Sequence, residues 1–342
     1  MADRQALALK YRPRVFDDVT EQGSVRKILE QQLKTNTFKS AYLFCGAAGT
    51  GKTTCARIFA NEINKGVGNP IEMDAASHNS VEDVRRINDQ ARTKSLEGEY
   101  KIFIIDECHS LSNSAWQAML KLIEEPPLKT IFIFATTDPQ KIPRTILSRV
   151  QRYDFQRITT QGIINRLTHI IETESISSVD TEAIEFIAKM AEGGMRDALT
   201  LLDKCLSYNN ELTVNNVIKA LGTVNYDIMF ELTDSIIFGQ PDRIMKITED
   251  LYLSGIDLKQ FIKTYLSFIL DVNKYCLIKN FDYITIPIIY ENTLRDYLQI
   301  NDGEFVYNLG KLLETLIKLN ANIKWETSPK SLIQATLLLE GK

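Results

Sequence analysis

The chain has 342 residues, more than one ordinary domain holds and in the range of two or three. Hydrophobic residues make up 44% and charged residues 25%, which excludes a disordered chain or a fibrous repeat. Forty Lys and Arg against 44 Asp and Glu leave a net charge of −4, so bulk positive charge cannot coat nucleic acid and any DNA contact must be a local patch.

In chain order, the first strong element is the apolar run 41–45, which reads as a buried strand. The segment Gly46-Ala47-Ala48-Gly49-Thr50-Gly51-Lys52-Thr53 follows it and matches G-x-x-x-x-G-K-[ST], with a helix expected from about Lys52. Glycines there let backbone N–H groups wrap a phosphate, and a helix N-terminus adds its dipole. Lys52 then reaches the β/γ-phosphates and the Thr53 hydroxyl ligates Mg²⁺. The nucleotide-binding set extends from Gly46 through Thr54.

A shorter strand is expected at 71–73, then a helix behind Ser80-Val81-Glu82-Asp83, a capping-box start, with Val84, Ile87 and Ala91 at helical spacing. The apolar strand 102–105 ends in Asp106-Glu107. Such a pair also occurs as a solvated turn. Downstream of a phosphate loop it points to a hydrolytic site, with Asp106 beside Mg²⁺ and Glu107 as the carboxylate that polarises water. The helical stripe Ala115, Trp116, Met119, Leu120 and Ile123 is stopped by Pro126-Pro127. The next strand, 131–135, ends in Thr136-Thr137-Asp138-Pro139, where Thr137 can sense a γ-phosphate or serve as an ordinary strand-end cap. A last strand is expected at 152–155.

Short apolar strands separated by helical patterns are the signature of a parallel sheet covered on both faces. Six of the nine prolines lie at or before Pro143, and beyond about Thr160 the pattern turns helical. Helices are expected at 163–171, 181–191, 195–206 and 214–221, then longer ones over 225–342 with a brief extended stretch near 284–289. Domain boundaries fall near 159 and 222. Arg149 and Arg196 are placed where a guanidinium can stabilise a transferring phosphoryl group, though residue pattern alone leaves either as a surface ion-pair partner.

The order of these motifs resembles the AAA+ clamp-loader ATPases of bacterial DNA polymerase III, the gamma/tau family. The matching segments include Lys10-Tyr11-Arg12-Pro13, Met73-Asp74-Ala75-Ala76-Ser77, Leu122-Ile123-Glu124-Glu125-Pro126-Pro127, Ile146-Leu147-Ser148-Arg149 and Gly194-Met195-Arg196-Asp197. The resemblance implies a P-loop α/β domain with a five-stranded parallel sheet (1–159), an all-α lid (160–222) and an all-α collar (223–342) that joins subunits. It implies a Mg²⁺-dependent ATPase that opens a sliding clamp and loads it on primer–template DNA, within a pentameric ring or spiral of clamp-loader subunits. Tyr11, Arg12, Pro13 and Val19 would line the adenine pocket. Lys52 and Glu107 would act in catalysis with Thr137 as sensor 1, Arg196 as sensor 2 and Arg149 as the arginine finger for a neighbouring subunit. Ser148-Arg149-Val150 stands where the family has Ser-Arg-Cys, which leaves the guanidinium intact.

Relatives of this type usually carry a four-cysteine zinc module between the phosphate-loop helix and the Asp-Ala-Ala-Ser strand. Here Asn64-Lys65-Gly66-Val67-Gly68-Asn69-Pro70 bridges that gap, so no zinc is expected. The five cysteines include no C-x-x-C pair, which fits a reducing cytoplasm. No apolar run approaches the roughly 18–20 residues of a membrane span, and no tau-type extension is expected after the collar. For DNA, the helix from Val81 carries Arg85, Arg86, Arg92 and Lys94; the same charges also read as a solvated face with a Glu82–Arg86 pair. The three histidines read as ordinary polar positions, and Asp106-Glu107-Cys108-His109 as a chance match to the helicase D-E-x-H signature. Alternative functions are a branch-migration helicase, a protein unfoldase or a non-hydrolysing scaffold subunit. Against the unfoldase, 70–99 holds no Phe, Tyr or Trp.

Overall fold

The computed structural model describes residues 5–93, 98–176, 178–221, 226–299 and 303–340. Two compact units emerge: one runs to Ser175 and includes Ala191–Asp203, the other comprises Ile176–Met190 and the chain from Lys204 onward. The boundary expected near 222 lies outside the described residues.

The first unit contains α1 (Leu7–Lys10), α2 (Gly23–Thr35), β1 (Ala41–Cys45), α3 (Lys52–Ile63), β2 (Ile71–Asp74), α4 (Val81–Arg92), β3 (Lys101–Asp106), α5 (Asn113–Glu124), β4 (Thr130–Thr136), α6 (Arg144–Leu147), β5 (Gln151–Asp154) and α7 (Thr160–Thr173). The five strands form one sheet in the order β2-β3-β4-β1-β5, and every neighbouring pair is parallel. Central strands β1 and β4 are buried throughout, whereas edge strands β2 and β5 are only partly so. That difference is why the central strands are continuous apolar runs and the edges are not.

Alternate side chains of each central strand enter opposite layers. Leu43, Phe103, Ile105, Phe132 and Phe134 pack with Val84, Ile87, Trp116 and Met119 of α4 and α5. Tyr42, Phe44, Ile104 and Ile133 pack on the other side with Leu29, Cys55, Phe59 and Ile63 of α2 and α3. Because all strands run the same way, the carboxyl ends of β1, β4 and β3 lie side by side along one edge, the usual ligand edge of an open α/β sheet.

The capping box on α4 forms as the sequence predicts. The Ser80 hydroxyl accepts from the Asp83 N–H at 3.2 Å, and the Asp83 carboxylate accepts from the Ser80 N–H at 3.2 Å. The expected Glu82–Arg86 pair is replaced by i,i+3 contacts, Arg85–Glu82 at 3.7 Å and Arg86–Asp83 at 3.8 Å. Residues three apart also adjoin on a helix surface, and Asp83 is already fixed there by Ser80.

The remaining helices are α8 (Thr181–Met190), α9 (Met195–Tyr208), α10 (Val214–Leu221), α11 (Tyr226–Ile237), α12 (Pro241–Leu253), α13 (Leu258–Ile278), α14 (Glu291–Gln299), α15 (Gly303–Asn322) and α16 (Pro329–Glu340). The first residues of α9 belong to the first unit. In the second unit, Phe230, Phe261, Tyr265 and Phe268 form an aromatic core, and the buried Tyr265 and Thr233 hydroxyls lie 2.9 Å apart. The expected extended stretch lies between two 3₁₀ turns, Phe281–Tyr283 and Ile288–Tyr290, and joins no sheet. The buried Asp271 carboxylate holds it by accepting from the Thr285 N–H at 2.6 Å and its hydroxyl at 2.5 Å.

Candidate nucleotide-binding site

The loop after β1 turns on three glycines with positive φ: Gly46 (154°), Gly49 (71°) and Gly51 (100°). At Gly46 a Cβ would stand 2.5 Å from the carbonyl oxygen of Phe155, so only glycine fits between β1 and the end of β5. Gly51 caps α3, and the helix begins at Lys52. The loop backbone is thereby presented at a helix N-terminus, the arrangement that suits an anion.

Lys52 is 6% exposed, and its ammonium donates to the carbonyls of Gly46 (2.9 Å) and Ala47 (2.8 Å). Burial lowers its pKa, opposed by the charges of Glu107 and Asp106. The Thr53 hydroxyl donates to Asp106 Oδ2 at 2.7 Å, while Oδ1 accepts from the Glu107 N–H at 3.0 Å. Glu107 has φ +46°, and its Oε2 accepts from the Thr137 hydroxyl at 2.9 Å.

A cleft of about 760 Å³ opens beside this loop. That volume lies in the range of about 300–1,000 Å³ usual for small-molecule sites. Tyr11, Arg12, Pro13 and Val19 line it, as do Ala48, Gly49, Thr50, Gly51, Lys52, Thr53 and Thr54, with Asp106, Glu107 and Arg196. Arg12 donates to the Thr54 hydroxyl at 3.3 Å. Burial lowers the pKa of its guanidinium, and Arg57 and Arg196 act in the same direction. The Tyr11 hydroxyl donates to Glu174 at 2.6 Å, and burial with that carboxylate pushes its pKa up to about 12. Gly46 and Ala47 contribute through Lys52 rather than through the cleft wall.

Three sets of expected residues lie apart from this wall. Thr137 touches Glu107 from behind. Arg149 is half-exposed just beyond α6, where it pairs with Glu124 at 2.7 Å and donates to the Thr145 carbonyl at 2.8 Å. Arg85, Arg86 and Arg92 are exposed on α4, and Lys94 lies outside the described residues.

Sequence reasoning missed several contributors. Buried Gln22 donates to the carbonyls of Thr50 (3.3 Å) and Gln156 (2.7 Å), tying the loop to the segment after β5. Arg57 lines the cleft and pairs with Glu72 of β2 at 2.5 Å. His109, read as an ordinary polar position, lies 3.2 Å from Glu107 Oε2. The D-E-x-H spacing was the available signal for it, since no residue pattern marks Gln22 or Arg57.

Hard oxygen donors side by side at Thr53 and Asp106, with Lys52 one residue away, fit a Mg²⁺-bound triphosphate. Among the described residues no group of three or more His, Cys, Asp or Glu is placed to hold a metal ion, and no helix is long and apolar enough to cross a membrane.

The sheet order, the phosphate loop and the acidic strand end define an AAA+ P-loop ATPase fold. Solved structures agree: the Thermotoga maritima RuvB Holliday junction branch migration motor matches over 66% of this chain and 79% of its own at a TM-score of 0.53, with 20% identity. That likeness concerns the fold alone. The family profile "DNA polymerase III, delta subunit" matches residues 67–159, and "DNA polymerase III clamp loader subunit, ATPase lid domain" matches 162–211. DNA polymerase III subunit tau of Bacillus subtilis is 34% identical over 98% of this chain and 62% of its own length. The Escherichia coli tau subunit is 34% identical over 74% of this chain and 43% of its own. DNA polymerase III subunit gamma of Buchnera aphidicola from Schizaphis graminum is 28% identical over 98% of this chain and 97% of its own. The chain is thus similar to the DNA polymerase III gamma and tau subunits, and it spans only about 62% of the Bacillus relative.

Proposed function

We propose that this chain is an ATP-hydrolysing subunit of a sliding-clamp loader, coupling ATP binding and turnover to clamp opening and loading on primer–template DNA. The observation that carries the reading is the convergence of Lys52, Thr53, Asp106, Glu107 and Arg196 on one cleft, while Arg149 stands outside it on the surface. A cleft complete except for its finger, plus a finger with no site of its own, is what a ring of like subunits requires.

Tyr11, Arg12, Pro13 and Val19 receive the base, and the loop from Gly46 to Thr54 receives the phosphates. Lys52 exchanges its two carbonyl partners for phosphate oxygens. Thr53 and Asp106 would hold Mg²⁺, which would supply charge neutralisation at the phosphates. Glu107 accepts the proton of the attacking water, Thr137 orients that carboxylate, Arg196 contacts the γ-phosphate, and Arg149 serves the neighbour's site.

The division at about 159 and 222 into nucleotide domain, lid and collar belongs to this reading. So do a pentameric assembly with other clamp-loader subunits, a cytoplasmic location and the absence of a structural zinc. Arg85, Arg86 and Arg92 on α4, with Lys94, are the proposed DNA contacts; replacing one phosphate contact should lower the salt dependence of DNA binding by about one in slope.

The test measures ATP turnover by the assembled complex with and without clamp and primed DNA. Stimulation by both together, lost in Lys52→Ala, is expected. Turnover indifferent to clamp and primed DNA overturns the proposal, and no turnover at all would identify a scaffold subunit.

A further inference from the structure

Glu107 is a non-glycine residue in the left-handed region, which persists only where its surroundings over-determine it. Two neighbours converge on the same oxygen. Oε2 lies 2.9 Å from the Thr137 hydroxyl and 3.2 Å from His109 Nδ1. A carboxylate can only accept, so this contact is attractive in the tautomer that carries its proton on Nδ1. The ring is fixed in turn, because Nδ1 also lies 3.2 Å from Thr136 Oγ1, and that fully buried oxygen accepts from the Asp138 N–H at 3.0 Å. The imidazole is therefore tied to the end of β4 as well as to the end of β3. Glu107 lines the nucleotide cleft, and no described residue donates to its Oε1.

We propose that His109 is a positioning residue: together with Thr137 it anchors Oε2 of Glu107 from behind and leaves Oε1 directed at the water that attacks the nucleotide. The D-E-x-H spacing thereby acquires a physical reason. His109 is the middle residue of the 3₁₀ turn Cys108–Ser110 that follows β3, so a residue two places beyond Glu107 is brought back beside its carboxylate. Removing the anchor lets the carboxylate leave its working orientation, and a misplacement of about 1 Å can cost about 100-fold in rate. Nucleotide binding does not pass through His109, which is absent from the cleft wall.

The inference rests on Glu107 being the catalytic carboxylate, and the experiment separates the two. Single-turnover ATP hydrolysis and nucleotide affinity are measured for the full chain in the assembly it purifies with, for wild type, His109→Leu, His109→Asn, Glu107→Gln and the Glu107→Gln/His109→Leu pair. Expected are a fall of about 10- to 100-fold in rate for His109→Leu at affinity within about twofold of wild type. His109→Asn, which keeps a donor near Nδ1, should recover most of the loss. In the Glu107→Gln background His109→Leu should change nothing further. If Glu107→Gln hydrolyses normally, the assignment of Glu107 fails. If Glu107→Gln is inactive while His109→Leu turns over like wild type, or if its loss appears equally in affinity and is not recovered by Asn, His109 has no positioning role.

Discussion

The backbone N–H of Met195 donates to the carbonyl of Gly49 at 3.0 Å, joining the phosphate loop by main chain to the start of the helix that carries Arg196. Approach this close is possible because both partners meet at glycines. A Cβ on Gly49 would lie 2.9 Å from the Cα of Gly194. The phosphate loop and the base of Arg196 are thus joined through backbone, without a flexible side chain between them.

Gly49→Ala should therefore harm both stability and binding. At φ +71° an alanine is strained by about 1–2 kcal/mol, and its methyl group also meets the Gly194 backbone. Gly194→Ala should be milder, since the nearest obstacle, Asp197 Oδ2 at 2.6 Å, ends a side chain that can swing away. Urea unfolding and ATP affinity of the two variants check this. Equal effects at both positions would show that the close approach does not matter.

Arg149→Ala should separate folding from turnover. Its pair with Glu124 is half-exposed, and surface pairs of that kind contribute at most about 1 kcal/mol. Hydrolysis by the assembly should nonetheless drop by about 1,000-fold, the usual scale for an arginine finger. Mixing Arg149→Ala chains with Lys52→Ala chains should restore part of the activity, because each supplies what the other's interface lacks. Activity that survives in Arg149→Ala would remove the finger assignment.

Much of this was legible from residues whose chemistry is local. The strand 41–45, the glycines that follow and the Asp106-Glu107 strand end carry their structure in sequence, because buried parallel strands and anion loops allow few other residues. The capping box at Ser80 is equally local. What escaped depends on contacts distant in sequence: Gln22 meets Gln156, Arg57 meets Glu72, and His109 meets Thr136. No periodicity encodes such meetings. The brief extended stretch expected near 284–289 runs only to Pro287, and what holds it is not legible locally: a buried Asp271 from α13 supplies its hydrogen bonds.

Ser80→Ala should destabilise α4 in a pH-dependent way. Losing an N-cap serine costs about 1 kcal/mol at neutral pH. The Ser80 hydroxyl, and then its backbone N–H, hold the Asp83 carboxyl below its ordinary value of 3.8. A folded pKa that is depressed adds stability above the ordinary carboxylate range and loses it as pH falls through the folded value. The deficit of Ser80→Ala against wild type should then shrink below pH 4. Amide exchange across α4 between about pH 3 and 7 checks this. A deficit that stays constant across that range would show that Asp83 draws nothing from Ser80.

Thiol chemistry tests the absence of a zinc module in the same experiment that tests burial. Cys45, Cys55, Cys108 and Cys205 are buried, and Cys276 is partly exposed. Burial pushes Cys45, Cys205 and Cys276 up to about 11 and Cys55 to about 12, and raises Cys108 well above its ordinary value. The reactive species is the thiolate, which at pH 8 is about one part in a thousand for a thiol of pKa near 11. Cys276 should react first with a disulfide reagent and slowly, and the other four only at the rate of unfolding. Zinc ligation would invert this behaviour, because a metal-bound cysteine is already a thiolate and is released when the metal is withdrawn. Adding a chelator should accordingly change neither the thiol kinetics nor the unfolding midpoint. A burst of reactive thiols on chelation, or zinc at one equivalent in the purified protein, would refute the zinc-free assignment.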